Sequence, residues 1–443
     1  MRRAAYVLLL ALSAGQAQSA GFAIREQSAS AFGNAFAGST AAAEDISYMY
    51  FNPAGIVRHS GNQAVVIGSY IAPHSEFNPG SASTLSPLDV AITGGNGGSD
   101  IASNGFIPAA YALWDVSDRF KAGLGINVPF ALRTEYDDGW IGRYHALDSE
   151  ILSIIVNPAA AYRITDQISL GAGISIQYVT AELSNAIDFG TIGFVSGVPG
   201  AVPTQQDGHV ALDGNDLALG FNVGVLFEPW RGTRVGASYR SKIAHTLEGD
   251  ADFTLDSGGV GAVIAGATGR FVDSTAEARL TTPDTVRIGF HHDISETWSV
   301  MGEAAWTNWT RFDELRVQFA NPAEPDNVVE QDWTGSWFFA AGASHRPVKA
   351  WTLRAGIALD QTPIPDNRRT PRIPGDVRTW LTVGATYAPL DNIDVSMGYA
   401  HLFVPSAPIN LSASSPGNQF RGNLQGDSNN YVNIFTIQAY MTF

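Results

Sequence analysis

From Gly61 to the terminal Phe443 the chain repeats one pattern, short runs in which apolar residues alternate with small or polar ones. A period of two belongs to a strand whose faces meet different surroundings, because successive side chains point to opposite sides. In Ile168–Leu183, the residues Ile168, Leu170, Ala172, Ile174, Ile176 and Tyr178 alternate with Ser169, Gly171, Gly173, Ser175 and Gln177. Phe120–Phe130 reads alike, with Phe120, Ala122, Leu124, Ile126, Val128 and Phe130 on one face and Lys121, Gly123, Gly125, Asn127 and Pro129 on the other. Leu217–Phe227, Trp351–Leu359 and Thr379–Tyr387 repeat it. In a soluble sandwich the apolar face is the core; in a membrane barrel it meets lipid and the small or polar face lines a lumen. Periodicity alone fits both.

The connections separate the two. Tight links at Asp115–Asp118, Thr165–Gln167, Pro229–Gly232, Ser295–Thr297, Pro347–Ala350 and Leu390–Asn392 alternate with long stretches near Pro73–Gly105, Ala131–Ala146, Ser184–Asp213, Gly249–Ser274, Asn321–Glu330, Gln361–Gly375 and Val404–Gly426. Short turns on one side and long loops on the other are the habit of outer-membrane barrels. The expected fold is therefore all-β, a transmembrane antiparallel β-barrel of about fourteen strands in a Gram-negative outer membrane. Trp114, Tyr162, Trp230, Trp298, Trp351 and Tyr387 stand near strand ends, where aromatic rings anchor at the membrane interface. The last run puts Phe435, Ile437, Ala439, Met441 and Phe443 on one face, which suits recognition by the barrel-assembly machinery. Outer-membrane lipid and lipopolysaccharide are the expected surroundings.

The start of the chain has another texture. Arg2 and Arg3, the apolar Tyr6–Ala14 and the small residues Ala17 and Ser19 read as a signal peptide over 1–19. That apolar run is too short for a membrane-spanning helix, which needs roughly 20 apolar residues. Residues 20–60 are rich in Ala, Gly and Ser and carry Phe22, Phe32, Phe36 and Phe51 before Asn52-Pro53-Ala54-Gly55. They are expected to form a plug, or hatch, inside a barrel spanning 61–443. The chain has no cysteine, which removes disulfides, thiol catalysis and cysteine metal sites. A net charge of −16 makes nucleic acid an unsuitable partner.

An ordered set of residues carries a family resemblance: Ala20-Gly21-Phe22, then Glu26, Ser28, Ser30, Gly33, Ala35, Gly38 and Asp45, then Asn52-Pro53-Ala54. Gly142–Ala146, Asn157–Arg163 and the terminal strand extend it over the whole mature chain. The chain resembles the FadL/TodX family of outer-membrane transporters for long-chain fatty acids and other hydrophobic compounds. The resemblance implies fourteen strands around an N-terminal hatch, with substrate leaving sideways at a kinked third strand.

The residues themselves suggest transport and not catalysis. There is no Gly-x-Ser-x-Gly elbow for a lipase or esterase, no His-Glu-x-x-His, and no phosphate-cradling glycine loop. Adjacent His291 and His292 would point to opposite faces of a strand, so no metal and no cofactor is expected. Phe22, Asn52, Pro53, Ala54 and Gly55 are the hatch candidates. Pro129, beside Asn127, interrupts a regular alternation and marks the candidate lateral opening, because proline cannot donate to a ladder. Two long loops are unusually apolar, at Phe189, Ile192, Phe194 and Val195 and at Val260, Val263 and Ile264, the expected capture surface for a hydrophobic ligand. By parity Lys121, Arg234, Arg240, Arg287, Arg354, Arg378 and Glu303 point inward. Arg240, Arg354 and Arg378 are candidates for a carboxylate headgroup, the alternative being pairing with Glu26, Glu44 and Asp45 of the plug. The expected function is passive uptake of long-chain fatty acids; the alternatives are an aromatic-hydrocarbon transporter of the same fold and a general aqueous porin.

Overall fold

A computed structural model describes residues 21–443, so the expected signal peptide over 1–19 lies outside the described residues. The wall runs through β1 (Gln63–Ser83), β2 (Gly105–Asp115), β3 (Phe120–Asn127) with β4 (Ala131–Glu135), β5 (Asp148–Arg163), β6 (Ile168–Asp188), β7 (Asp207–Trp230) and β8 (Thr233–Arg240) with β9 (Ile243–Thr254). It continues through β10 (Ser274–Thr282) with β11 (Thr285–Asp293), β12 (Trp298–Thr307) with β13 (Glu314–Phe319), and β14 (Asn327–Glu330) with β15 (Ser336–Val348). The last strands are β16 (Trp351–Asp360), β17 (Arg378–Leu390), β18 (Ile393–Phe403) with β19 (Ala407–Leu411), and β20 (Asn423–Thr442). The segment pairs are single wall strands with local breaks, giving a closed antiparallel barrel of 14 strands. β20 returns beside β1, from Gln63↔Thr442 to Ser83↔Asn423, so no edge is left open.

Burial is inverted relative to a soluble sandwich, and this settles which face meets what. Leu217, Leu219 and Phe221 are 63%, 69% and 49% exposed, whereas the inward Ser175 and Gln177 are wholly buried. Apolar residues outside and small or polar ones inside fit a lipid-embedded wall. The ring-bearing residues at the short-turn ends, Trp114, Tyr162, Trp230, Trp298, Trp351 and Tyr387, are all exposed.

Several strands outrun their expected bounds on the long-loop side. β1 continues to Ser83, β6 and β7 reach Asp188 and Asp207, and β9 ends at Thr254. These extensions stand beyond the apolar band, where both faces are wet or covered by loops. The alternation that marks a strand in lipid therefore fades there.

Residues 21–58 are folded inside the wall and are buried almost throughout. Short capped turns build this segment. Ser28 caps α1 (Ala29–Phe32) by accepting from the Ala31 N–H, and Asp45 Oδ1 caps a 3₁₀ turn at Ile46–Tyr50 by accepting from the Ser47 N–H at 2.8 Å. The wall's inward glycines let this backbone come close: a Cβ on Gly384 would stand 2.7 Å from the Cα of Gly33. Phe32, Phe36, Tyr48 and Phe51 join Phe338 and Trp380 of the wall in one buried apolar cluster.

Candidate functional site

At the third wall strand the alternation fails where Pro129 stands. β3 pairs with β5 as far as Asn127↔Ile155, and β4 resumes at Ala131↔Leu152. Val128, expected on the outer face with Phe120 and Leu124, is instead buried inside. A strand that must pass a proline leaves the ladder, and the side-chain parity resets across the break.

The other edge of this break is more open. β2 pairs with β3 only from Ala110↔Ile126 to Asp115↔Lys121, while β4 pairs with β5 and not with β2. A single bridge between the loop residue Ala102 and Thr134 closes the upper end. Between these limits the barrel wall lacks a ladder. Asn127 marks the lower edge; its amide donates to Gln27 Oε1 at 3.0 Å and to the hydroxyl of Tyr111 at 2.5 Å.

The N-terminal segment fills this window from inside. The Ile24 N–H donates to the Pro129 carbonyl at 2.7 Å, the Ala131 N–H donates to the Phe22 carbonyl at 3.1 Å, and Ala23 bridges Phe130. Phe22 itself enters a cage of rings: Trp309 at 4.8 Å between centroids, Phe130 at 5.6 Å, Phe312 at 5.8 Å and Trp333 at 5.9 Å. Gly21 precedes it with φ +67°, in the left-handed region, and a Cβ there would lie 2.7 Å from the Trp333 ring. Sequence reasoning missed Trp309, Phe312 and Trp333; the density of rings in Trp306–Phe312 was the available signal.

Asn52-Pro53-Ala54-Gly55 lies on the lumen side of β6 and β7. Asn52 Oδ1 caps the turn Pro53–Arg58 by accepting from the Ala54 N–H at 3.0 Å. Its amide donates to the carbonyls of Thr40 at 2.7 Å and Val225 at 3.0 Å. One side chain thus caps a turn and ties two parts of the segment to the wall. Pro53 and Ala54 rest against Gly171 of β6.

The two apolar loops pack on each other through α2 (Phe189–Val195) and α3 (Val260–Thr268). Phe189, Ile192, Val260 and Ile264 are buried in one cluster with Phe271, whereas Phe194, Val195 and Val263 stay more than half exposed. The apolar contacts continue inward. Phe253 packs against this cluster and against that of Ala251, Ala276 and Val317; Ala278 packs against the latter and against the Phe22 cage. An unbroken apolar trail links the loop helices to the window at Pro129.

The three headgroup candidates differ. Arg354 is engaged by the N-terminal segment, its Nη2 pairing with Glu44 at 2.5 Å and its Nε donating to the same carboxylate at 3.2 Å. Arg378 is buried beside Asp360, its cross-strand neighbour, with Nε and Nη1 unpartnered among the described residues. Arg240 donates to the Tyr50 carbonyl at 2.8 Å and to Ser175 Oγ at 3.1 Å, and lines a small cavity together with Pro129, Phe130 and Arg287. Glu303 is held by the backbone N–H and hydroxyl of Thr40.

Relatives share this plan. The chain is 30% identical over 416 residues to outer membrane protein P1 of Haemophilus influenzae, covering 88% of this chain and 87% of the relative. It is 27% identical to a long-chain fatty acid transport protein of Escherichia coli K12, over 97% of this chain and 98% of that one. A Pseudomonas aeruginosa FadL homologue superposes with a TM-score of 0.87 at 24% identity, over 96% of this chain and all of the other. The toluene transporter TodX of Pseudomonas putida superposes at 0.65 with 15% identity, covering 88% and 92%, a likeness of fold. The model for outer membrane protein transport proteins (OMPP1/FadL/TodX) matches residues 10–443. The chain belongs to this family of hydrophobic-compound transporters in the Gram-negative outer membrane.

Proposed function

We propose that the chain takes up long-chain fatty acids passively and releases them sideways through the window beside Pro129. The observation that carries this reading is the coincidence of two features: an apolar trail runs from α2 and α3 to the Phe22 cage, and the cage sits where β2 and β4 fail to pair. A ligand with a long apolar chain gains about 25 cal/mol for each Å² buried along such a trail. Phe194, Val195 and Val263 offer the first contact. Residues 20–60 act as the hatch, and displacement of Phe22–Ile24 unseals the window. Asn52, Pro53, Ala54 and Gly55 hold the rest of the hatch in place while that end moves. Arg240 lies beside the exit, where it can meet a passing carboxylate. Lipopolysaccharide surrounds the upper wall, and the exposed terminal Phe443 is what the barrel-assembly machinery reads.

Uptake of labelled oleate and of toluene by cells carrying the chain, with and without Pro129→Ala, tests the reading. If neither compound enters faster than in empty cells, transport of both classes is excluded. If Pro129→Ala leaves uptake unchanged, the window is not the exit. Faster entry of toluene alone favours the aromatic-hydrocarbon alternative, and a large steady conductance in planar bilayers favours the porin.

A further inference from the structure

At the long-loop end, a small cavity opens among the tops of β6, β7, β13 and β14 and the loops 361–377 and 412–422. Arg372 and Arg421 line it, with His145 beside them. Arg372 donates to the Asp148 carbonyl and Ser149 Oγ, both at 2.8 Å, to the Ser184 carbonyl at 2.9 Å and to Asn185 Oδ1 at 3.3 Å. Arg421 donates to Asn327 Oδ1 at 3.0 Å. Every one of these acceptors is neutral.

The acids nearby are occupied. Glu330 pairs with Arg368 at 2.7 Å, and the same guanidinium holds Asp332 at 2.5 Å. The Asp148 carboxylate accepts from Ser184 Oγ at 2.6 Å. Among the described residues neither Arg372 nor Arg421 has a carboxylate within ion-pair distance. His145 is 5% exposed, and its buried Nε2 has no partner. Arg372, Arg421 and the unpartnered Nε2 of His145 therefore meet in one cavity whose own carboxylate, Glu330, is taken up by Arg368. Burial, joined by the Arg421 charge, draws Arg372 down to about 9, and burial draws Arg421 down to about 10. An incoming anion relieves both effects.

An apolar part of the lining lies beside neutral polar side chains and the Glu330–Arg368 pair. Leu212 and Val317 belong to the cluster that continues the trail from the loop helices, and Leu315 packs on the Phe22 cage. With about 50 Å³ of open space, the cavity admits a few water-sized groups, which suits a headgroup and not a tail. We propose that Arg372 and Arg421 form a carboxylate-holding site, receiving the headgroup of an amphipathic monocarboxylate whose chain lies along the apolar trail. This rests on the transport reading and selects within it, favouring fatty acids over uncharged aromatic hydrocarbons. Arginine suits the task because its charge persists at physiological pH; Arg421, with a single bond to Asn327, keeps donors free for a carboxylate, while Arg372, held by four neutral acceptors, adds its charge.

The test compares binding of laurate and dodecanol to the purified full-length protein in non-ionic detergent at pH 8. The two ligands share a tail and differ in headgroup charge. The wild type is expected to bind laurate about tenfold more tightly, the effect of one charge-assisted hydrogen bond. Arg421→Gln, which gives up a single hydrogen bond, removes the preference and leaves dodecanol binding unchanged; Arg421→Lys keeps part of it. Arg372→Gln is the second variant, with folding of both checked by resistance to SDS unfolding at room temperature. Equal binding of laurate and dodecanol by the wild type overturns the proposal, as does a preference that survives in both Gln variants. Failure of both ligands to bind overturns the transport reading as well, whereas strong but equal binding overturns only the headgroup site.

Discussion

The backbone N–H of Ile24 donates to the carbonyl of Pro129 at 2.7 Å, so the N-terminal segment completes a ladder that the third wall strand abandons. Proline removes a donor from the wall, and the displaced backbone then needs partners. Residues 22–24 supply them. Residues 22–24 and the break at Pro129 are thus two halves of one hydrogen-bonded unit, so any opening of the break would have to undo their bonds.

A covalent lock tests that dependence. Ala23 and Phe130 form an antiparallel bridge, whose Cα atoms stand about 4.5–5.5 Å apart, within the range a disulfide spans. The chain has no cysteine of its own, so Ala23→Cys with Phe130→Cys can form only the intended bond. Oxidised cells should lose oleate uptake, and a reductant should restore it. Uptake that is indifferent to oxidation, with the disulfide shown to be formed, removes Phe22–Ile24 from the release step.

Phe22→Ala asks how firmly the N-terminal segment is docked in the wall. The ring meets four aromatic neighbours and is 2% exposed. Truncating a buried phenylalanine costs about 3–5 kcal/mol, here drawn from local docking of the first residues and not from the closed wall. Hydrogen exchange over residues 21–28 should accelerate at least a hundredfold, in line with that energy, while the thermal midpoint of the barrel moves little. Unchanged exchange at Ile24 contradicts a latch built on Phe22.

Much of this was legible before any coordinates. Where one face meets lipid, as in Ile168–Tyr178, alternation dictates both strand and orientation, and the alternating link lengths dictate closure. The inward placement of Arg354 and Glu303 followed from parity alone. What the pattern could not carry was anything set by contacts between distant segments. Strict parity puts Val128 on the outer face, but the ladder already ends at Asn127, because the residue ahead of a proline is itself restricted, and Val128 turns inward. The Phe22 cage depends on Trp309, between β12 and β13, and Trp333, between β14 and β15, which lie in connections without periodicity and meet Phe22 only after the barrel closes. Arg372 and Arg421 were overlooked for the same reason, since loop residues carry no parity. The two loops stand out by their apolar composition, but composition does not separate Phe189, which holds the two helices together, from Phe194, which projects outward.

That division yields a prediction for capture. Phe194→Ser removes an exposed ring and should leave folding intact, raising the half-saturation concentration for oleate about tenfold, as the lost burial implies, with little effect on maximal uptake. Phe189→Ala instead removes a wholly buried ring from the contact with Phe271 at 5.0 Å between centroids. It should loosen α2 and α3, seen as faster proteolytic nicking between 189 and 271. Equal effects of the two substitutions on half-saturation would contradict a capture surface on the exposed side.

His145 gives the long-loop end a dependence on pH. Burial, reinforced by the charges of Arg421 and Arg372, lowers its pKa from 6.5 to about 3. The folded loop therefore holds a neutral imidazole at pH values where an unfolded loop is protonated. Because the folded value is depressed for a base, the loop loses nothing above about 6.5, and its stability falls progressively as pH drops from there toward 3. Hydrogen exchange over residues 136–147 should accelerate between pH 6.5 and 4, after correction for the intrinsic rate, and His145→Gln should flatten that response. A wild-type loop whose corrected exchange is level across this window would mean that His145 is not held neutral against Arg372 and Arg421.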